Sequence, residues 1–277
     1  MRYESIDKDE LPCTPCRYGQ SRTWFRGPRR ALDRPYIAFL GGTATYGKYI
    51  ETPFPALVEI ATGRRCINFG CVNGGIDVFV NDPTITQICK AADLNVVQVM
   101  GANHLSNRFY TVHQRRNDRF LSASPQLRTI YPEVDFVEFA FTRHMLGYLY
   151  DLCASRFDAV VDELRKAWLA RMQQMLRQIG PDTVLLWFSD TPLNDVVWSE
   201  RPRHLQVDPL FINASMIDRL GPLVRQVLVV TPTADALAMG TVGMRVPASQ
   251  DQAAGQMLGP ACHTEAANAL INALSGL

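Results

Sequence analysis

The apolar positions of this chain cluster in short runs, each closed by glycine or a small polar residue. Tyr36 to Leu40 (YIAFL) is the first, with Pro35 before it and Gly41-Gly42-Thr43 after it. Cys66 to Phe69, Leu94 to Met100 (LNVVQVM), Thr183 to Phe188 (TVLLWF) and Gln226 to Val230 (QVLVV) repeat the pattern. Unbroken apolar runs of this length predict strands buried on both faces. Between them the spacing turns helical. Pro53 to Ala61 has prolines near its start and Gly63 just past its end, the expected punctuation of a helix. Ser155 to Ile179 carries Phe157, Val160, Val161, Leu164, Trp168, Leu169, Met172 and Leu176 along one face. Further helices are expected over Asp135 to Leu152 and over His263 to Leu274. Alternating strands and helices predict an α/β protein, a parallel sheet doubly wound with helices on both faces.

Residues 1–34 stand apart, polar and rich in arginine, and are expected to form an N-terminal arm on a single domain of residues 35–277. The segment between the third and fourth strands is too long for one crossover. A helical insertion at about 104–180, beside the carboxyl ends of the strands, accounts for it.

Composition changes this picture only by exclusion. The 277 residues are 47% hydrophobic and 20% charged, ordinary globular values. A formal charge of +1 argues against a nucleic-acid partner, which usually requires a strongly basic surface. No apolar stretch is long enough for a membrane span, and MRYESIDKDELP carries no apolar leader. The seven cysteines are odd in number and scattered, the pattern of reduced thiols in a cytoplasmic protein. Cys13 and Cys16 form a C-x-x-C pair, but no second pair follows at metal-like spacing, so neither a metal nor another cofactor is expected.

Candidate chemistry gathers where an α/β sheet places its ligands, just beyond the carboxyl ends of its strands. Gly41-Gly42-Thr43-Ala44-Thr45-Tyr46-Gly47 follows the first strand, and Asn68-Phe69-Gly70 through Gly74 spans the second. Gly101-Ala102-Asn103 follows the third, and Cys262-His263-Thr264-Glu265 opens the last helix. In this order the four blocks resemble those of SGNH (GDSL-like) esterases and acyltransferases. The resemblance implies a flavodoxin-like five-stranded sheet of order 2-1-3-4-5. It also implies Thr43 as nucleophile, His263 as base, and oxyanion donors from Asn103 and the N–H of Gly74 or Gly70. Two positions depart from the family. Thr43 stands where serine belongs, and its β-methyl restricts χ1. Pro260 stands where an aspartate usually orients the histidine, leaving Asp190, after the fourth strand, as a substitute carboxylate. Over its whole length the chain also resembles an alphaproteobacterial domain family of unknown function, a resemblance that names no reaction.

Asn103 to Phe120 (NHLSNRFYTVHQRRNDRF) adds a basic cluster beside this site. His104, Arg108, His113, Arg115, Arg116 and Arg119 are the candidate substrate-binding residues, since arginine forks suit carboxylate, sulfate and phosphate. The plainer interpretation is a solvated face paired with Asp118, Glu133 and Asp135. His104 is a second candidate base, while His113, His144 and His204 lack local ligand partners and read by default as structural histidines. Cys71 and Cys262 are weaker nucleophile candidates, because free cysteines are commonly buried small hydrophobes.

Three functions fit these features. The first is an SGNH-like ester hydrolase or acyltransferase acting on an anionic, carbohydrate-linked substrate. The second keeps the fold without the catalysis and binds a glycan or anionic ligand. The third is a nucleotide-binding transferase of kinase or sulfotransferase type, because Gly42 to Lys48 fits G-x-x-x-x-G-K. Against it, Tyr49 replaces the magnesium-binding hydroxyl, and Pro53 and Pro55 fall where the loop's helix should run.

Overall fold

A computed structural model describes residues 13–196 and 205–275. The start of the arm (1–12) and His204 lie outside the described residues.

Among the described residues the strands are β1 (Tyr36–Gly41), β2 (Arg65–Gly70), β3 (Leu94–Gln98), β4 (Tyr110–His113), β5 (Arg116–Ala123), β6 (Thr183–Phe188) and β7 (Gln226–Val230). The helices up to the fourth sheet strand are α1 (Thr43–Tyr46), α2 (Phe54–Thr62), α3 (Asp77–Val80), α4 (Pro83–Lys90), α5 (Pro125–Ile130), α6 (Thr142–Leu152) and α7 (Ala154–Ile179). Beyond it come α8 (Ala214–Asp218), α9 (Ala234–Ala238), α10 (Asp251–Ala254) and α11 (Pro260–Ser275).

β2, β1, β3, β6 and β7 form one five-stranded sheet in that order, and every pairing is parallel. This is the expected order 2-1-3-4-5, counting only the strands of the main sheet. Alternation along β1 divides the core between the two faces. Ile37 and Phe39 pack with Phe54, Val58, Ala266 and Leu270 of α2 and α11. Ala38 and Leu40 belong to the larger core on the opposite face, with Phe157, Leu164 and Trp168 of α7. Local punctuation agrees with these elements. A proline opens α2, and Gly63 closes it in a left-handed conformation that accepts glycine readily.

Residues 104–180 hold more than helices. β4 and β5 pair antiparallel as a separate two-stranded hairpin, so the basic stretch is a ribbon rather than an open loop. Tyr110, Val112 and Phe120 point into the core from it, while Arg115 and Arg116 ride its exposed tip. The expected helix over Asp135–Leu152 is split, with a single 3-10 turn at Phe136–Glu138 and α6 starting at Thr142. α7 spans 26 residues and lies against the sheet face, its Trp168 Nε1 donating to Met100 O at 2.7 Å. It therefore serves as the crossover into β6.

The described part of the arm is pinned to this body. Phe25 and Tyr18 meet Phe69 of β2 edge-on, with ring centroids 5.2 and 5.1 Å apart. Arg26 is buried and donates to four backbone carbonyls, those of Tyr46, Gly47, Ile50 and Glu51. One guanidinium thus holds the whole chain segment that follows β1.

Candidate functional site at the carboxyl ends of the strands

β1 delivers Thr43 to the edge of the sheet through two glycines. A side chain at Gly41 would collide with Thr45 and Gln98, so the strand end passes close beneath α1. Gln98 at the end of β3 accepts from both Thr45 N–H (3.1 Å) and Thr45 Oγ1 (2.6 Å), fixing α1 over the sheet. Thr43 faces the turn after β2. The Asn73 N–H donates to Thr43 Oγ1 at 3.0 Å, and Thr43 Oγ1 lies 3.4 Å from Asn73 Oδ1. Asn73 adopts φ +55°, a left-handed conformation that asparagine tolerates, and this aims its side chain outward. Its Nδ2 then donates to Asp118 Oδ2 of β5 at 3.1 Å. Thr43, Asn73 and Asp118 so link β1, the β2 turn and the hairpin.

The other members of the family-like constellation sit elsewhere. His263 lies in the first turn of α11, 1% exposed, between the rings of Phe54 and Phe188 at centroid distances of 5.7 and 5.4 Å. Its Nδ1 accepts the N–H of Phe54 at 3.1 Å. That bond fixes the neutral tautomer with the proton on Nε2, whereas a triad base needs Nε2 free to accept. Desolvation, reinforced by the Arg26 cation, pushes its imidazole down to about 3. No hydrogen bond joins His263 to Thr43 among the described residues, and the Thr43 hydroxyl bonds instead with Asn73.

Of the oxyanion candidates, the two glycine N–H groups are likewise engaged. Gly74 N–H donates to Cys71 O at 2.9 Å, closing the turn after β2. Gly70 N–H donates to Asn68 Oδ1 at 2.7 Å, and any side chain at Gly70 would strike the backbone of Tyr46. Asn103 is fully buried, and its carboxamide has no partner within the protein. Its carbonyl accepts from Tyr110 Oη at 2.9 Å. Asp190 is exposed at the end of β6, where Thr191 Oγ1 donates to it at 3.2 Å.

The basic residues divide into two groups. Arg108 is committed to the buried carboxylate of Glu163 on α7, donating through Nε at 2.8 Å and Nη2 at 2.5 Å. His113 organises the hairpin tip, its Nδ1 accepting from the N–H groups of Arg115 and Arg116, each at 3.2 Å. Arg115 reaches back to Arg22 O on the arm at 3.4 Å. His104 is packed against Gly75, and desolvation with nearby Arg143 pushes it down to about 3. Arg116 and Arg119 remain at the site. With Val72, Asn73, Asp118 and Phe141 they line a cavity of 320 Å³. The Arg119 guanidinium carbon lies over the Phe141 ring, 4.0 Å from its centroid, and neither arginine forms an ion pair among the described residues.

Asn73, inside the second block but given no role by it, and Asn117, Asp118 and Phe141, outside the blocks, are site residues that the resemblance does not supply. Asn117 is fully buried and ties hairpin to sheet, accepting from Gly75 N–H at 2.8 Å and donating to His113 O at 2.9 Å. The Asn73-Gly74 dipeptide is a turn signal that could have flagged the first. Phe141 meets Arg119 only through a long-range bridge, which no local pattern announces.

The glycine loop that fits the phosphate-binding pattern forms a four-residue helix ended by Gly47 at φ +69°, and Lys48 Nζ rests 4.7 Å from the Tyr49 ring centroid. Burial pushes the Cys71 thiol up to about 11 and raises that of Cys262, so neither is a ready thiolate. Cys13 Sγ lies 3.9 Å from Tyr46 Oη, and Cys16 Sγ is directed at Arg26 O. All seven cysteines are free, and no metal-competent group of His, Cys, Asp or Glu occurs among the described residues. No helix among them is long and apolar enough to cross a membrane.

Sheet order and flanking helices define an α/β protein with a ligand-sized cavity at the carboxyl ends of its strands. The chain belongs to the family described as a domain of unknown function, DUF6473, whose model matches residues 1–277. No curated protein matches it. Among solved structures it is similar to the crystal structure of a lipase, Lip_vut3, from a goat rumen metagenome. The two are 12% identical, with a TM-score of 0.35, over 85% of this chain and 97% of the lipase chain.

Proposed function

We propose that this protein binds an anionic, carbohydrate-linked ligand at the carboxyl end of its sheet, and does so without acyl transfer. The observation that carries this reading is the 320 Å³ cavity in which Arg116 and Arg119 lie beside the Phe141 ring and the Asn73 turn. Two guanidinium forks supply charge and directional donors for a carboxylate, sulfate or phosphate. The ring supplies an apolar wall for the ligand body, and Asn73 supplies an amide close to it. Such a volume suits a small ligand or one residue of a longer one.

Against catalysis stands the engagement of the acyl-transfer parts. A base whose Nε2 carries the proton cannot take another from Thr43 Oγ1, and the Gly70 and Gly74 N–H groups, already bonded within the protein, do not preorganise an oxyanion site, which leaves Asn103 as the one candidate donor with a free amide. Free thiols at all seven cysteines support a cytoplasmic location.

The test is calorimetric titration of the full chain with uronate and sulfated oligosaccharides and with their neutral counterparts. Saturable binding that needs the anionic group, and that Arg116→Ala with Arg119→Ala weakens at least tenfold, supports the reading. Binding indifferent to both arginines removes it. A screen of acyl esters runs alongside, with Thr43→Ala as control. Ester turnover abolished by that substitution would restore the hydrolase.

A further inference from the structure

Phe141 is at once a wall of the 320 Å³ cavity and the N-cap residue of α6, so this helix leads directly away from the cavity. Its inner face is anchored by Thr142, Met145, Leu146 and Leu149, all buried. A second stripe runs beside that face. Phe141, His144, Tyr148 and Leu152 recur at three- and four-residue spacing, which aligns them along one side of the helix. All four are exposed, Phe141 by 41%, Tyr148 by 47% and Leu152 by 39%. A surface helix ordinarily turns charged and polar residues to solvent, and a stripe of rings there does not serve the fold.

The stripe is steadied from below and tied to the arginines. Phe139 is buried, with its ring centroid 5.2 Å from that of His144 and 5.4 Å from that of Tyr148. At the cavity end, an antiparallel bridge joins Arg119 to Phe141, and Phe120 N–H donates to Ala140 O at 3.1 Å. The start of the stripe is therefore fixed relative to β5 and its guanidinium groups. Phe141 and Tyr148 stand seven residues apart, a rise of about 10 Å along the helix. A ligand that touches both the arginines and Tyr148 is longer than one sugar ring.

We infer that the ligand of this site is an acidic oligosaccharide chain, with one anionic unit on Arg116 and Arg119 and the following units laid along α6 against Phe141 and Tyr148. The inference rests on the anionic-ligand reading of the cavity and extends it from one sugar residue to a chain. Aromatic faces carry negative potential, which suits the C–H face of a pyranose ring while its hydroxyls stay in water. Continuity selects this occupant, because Phe141 belongs to both the cavity and the stripe.

Calorimetric titration of the full chain compares galacturonic acid with its linear trimer. The trimer should bind at least tenfold more tightly than the monosaccharide. Tyr148→Ala should remove that gain and leave monosaccharide affinity unchanged, which also shows that the variant is folded. Tyr148→Phe keeps the ring and should keep the gain. Three results would overturn the chain inference while leaving the cavity reading intact: a trimer no tighter than the monosaccharide, a gain that survives Tyr148→Ala, or a gain lost equally in Tyr148→Phe. A dimer in sedimentation that Tyr148→Ala dissolves would assign the stripe to a second copy of the chain and overturn it as well. Uronate binding that is absent, or indifferent to Arg116→Ala with Arg119→Ala, would instead remove the cavity reading and this inference with it.

Discussion

The two flanks of Thr43 solve opposite problems with similar residue types. On one side, His263, Phe54 and Phe188 form a closed unit in which every polar atom described has an internal partner or an aromatic wall. On the other, Asn73, Asp118, Arg116, Arg119 and Phe141 surround open space. Both contain a cationic or potentially cationic group beside aromatic rings. They differ in desolvation. The histidine lost its water and with it its basicity, whereas Arg116 lies exposed to solvent. A residue type that carries chemistry in one setting is packing material in another, and burial decides which.

That contrast can be broken by substitution, beginning with the closed side. Arg26→Ala removes one buried cation from four carbonyls and should destabilise the fold by about 3 kcal/mol, read by chemical denaturation. A loss near zero would show that water replaces the guanidinium and that the clamp is not structural.

His263→Leu leaves the Phe54 N–H without its acceptor and should lower stability by about 2 kcal/mol at neutral pH. Its signature is the pH dependence. The folded-state value is depressed to about 3, so the unfolded chain binds the extra proton between about 6.5 and 3. Stability is therefore fully present above about pH 6.5 and lost as the pH falls. Moving from pH 7 to pH 5 should remove about 2 kcal/mol on account of this residue. His104, similarly depressed, contributes over the same window, so His263→Leu should roughly halve the acid sensitivity rather than abolish it. An unchanged pH profile in that variant would mean that His263 is solvated and free to titrate.

On the open side the effects should fall on ligand and not on fold. Arg116→Ala with Arg119→Ala should leave stability within about 0.5 kcal/mol, the usual range for exposed surface changes. The same pair should weaken an anionic glycan by tenfold or more in the titration described above. Smallest of all is Thr43→Ala. Its hydroxyl bonds one turn N–H at the surface, so a loss of about 0.5 kcal/mol and no loss of ligand are expected. A large effect of Thr43→Ala on either ester turnover or binding would move the centre of the site back to β1.

The main-sheet strands were legible because they depend on short-range periodicity, whereas their order came only from the family resemblance. Tyr36 to Leu40 and Val184 to Phe188 are apolar runs buried throughout, whereas Gln226 to Val230, expected to be buried on both faces, forms the sheet edge, where only Val230 is buried. The four strand-end blocks were legible as places, since glycines that allow close backbone approach leave a local mark. Their hydrogen-bond partners left none. Whether His263 Nδ1 meets a carboxylate or the Phe54 N–H depends on how α11 settles against α2, and no window of sequence contains both. The same holds for Arg108, drawn to Glu163, and for Arg119, laid over Phe141. The hairpin that carries the arginines was concealed for another reason. Its strands are short and irregular, with register shifts at Val112, so the period of two is interrupted before it can be recognised. Sequence alone thus determined the strands of the frame and marked the strand ends as the place for candidate chemistry. Tertiary structure alone decided which polar atoms remain available there, because partner choice and desolvation are properties of the packed whole.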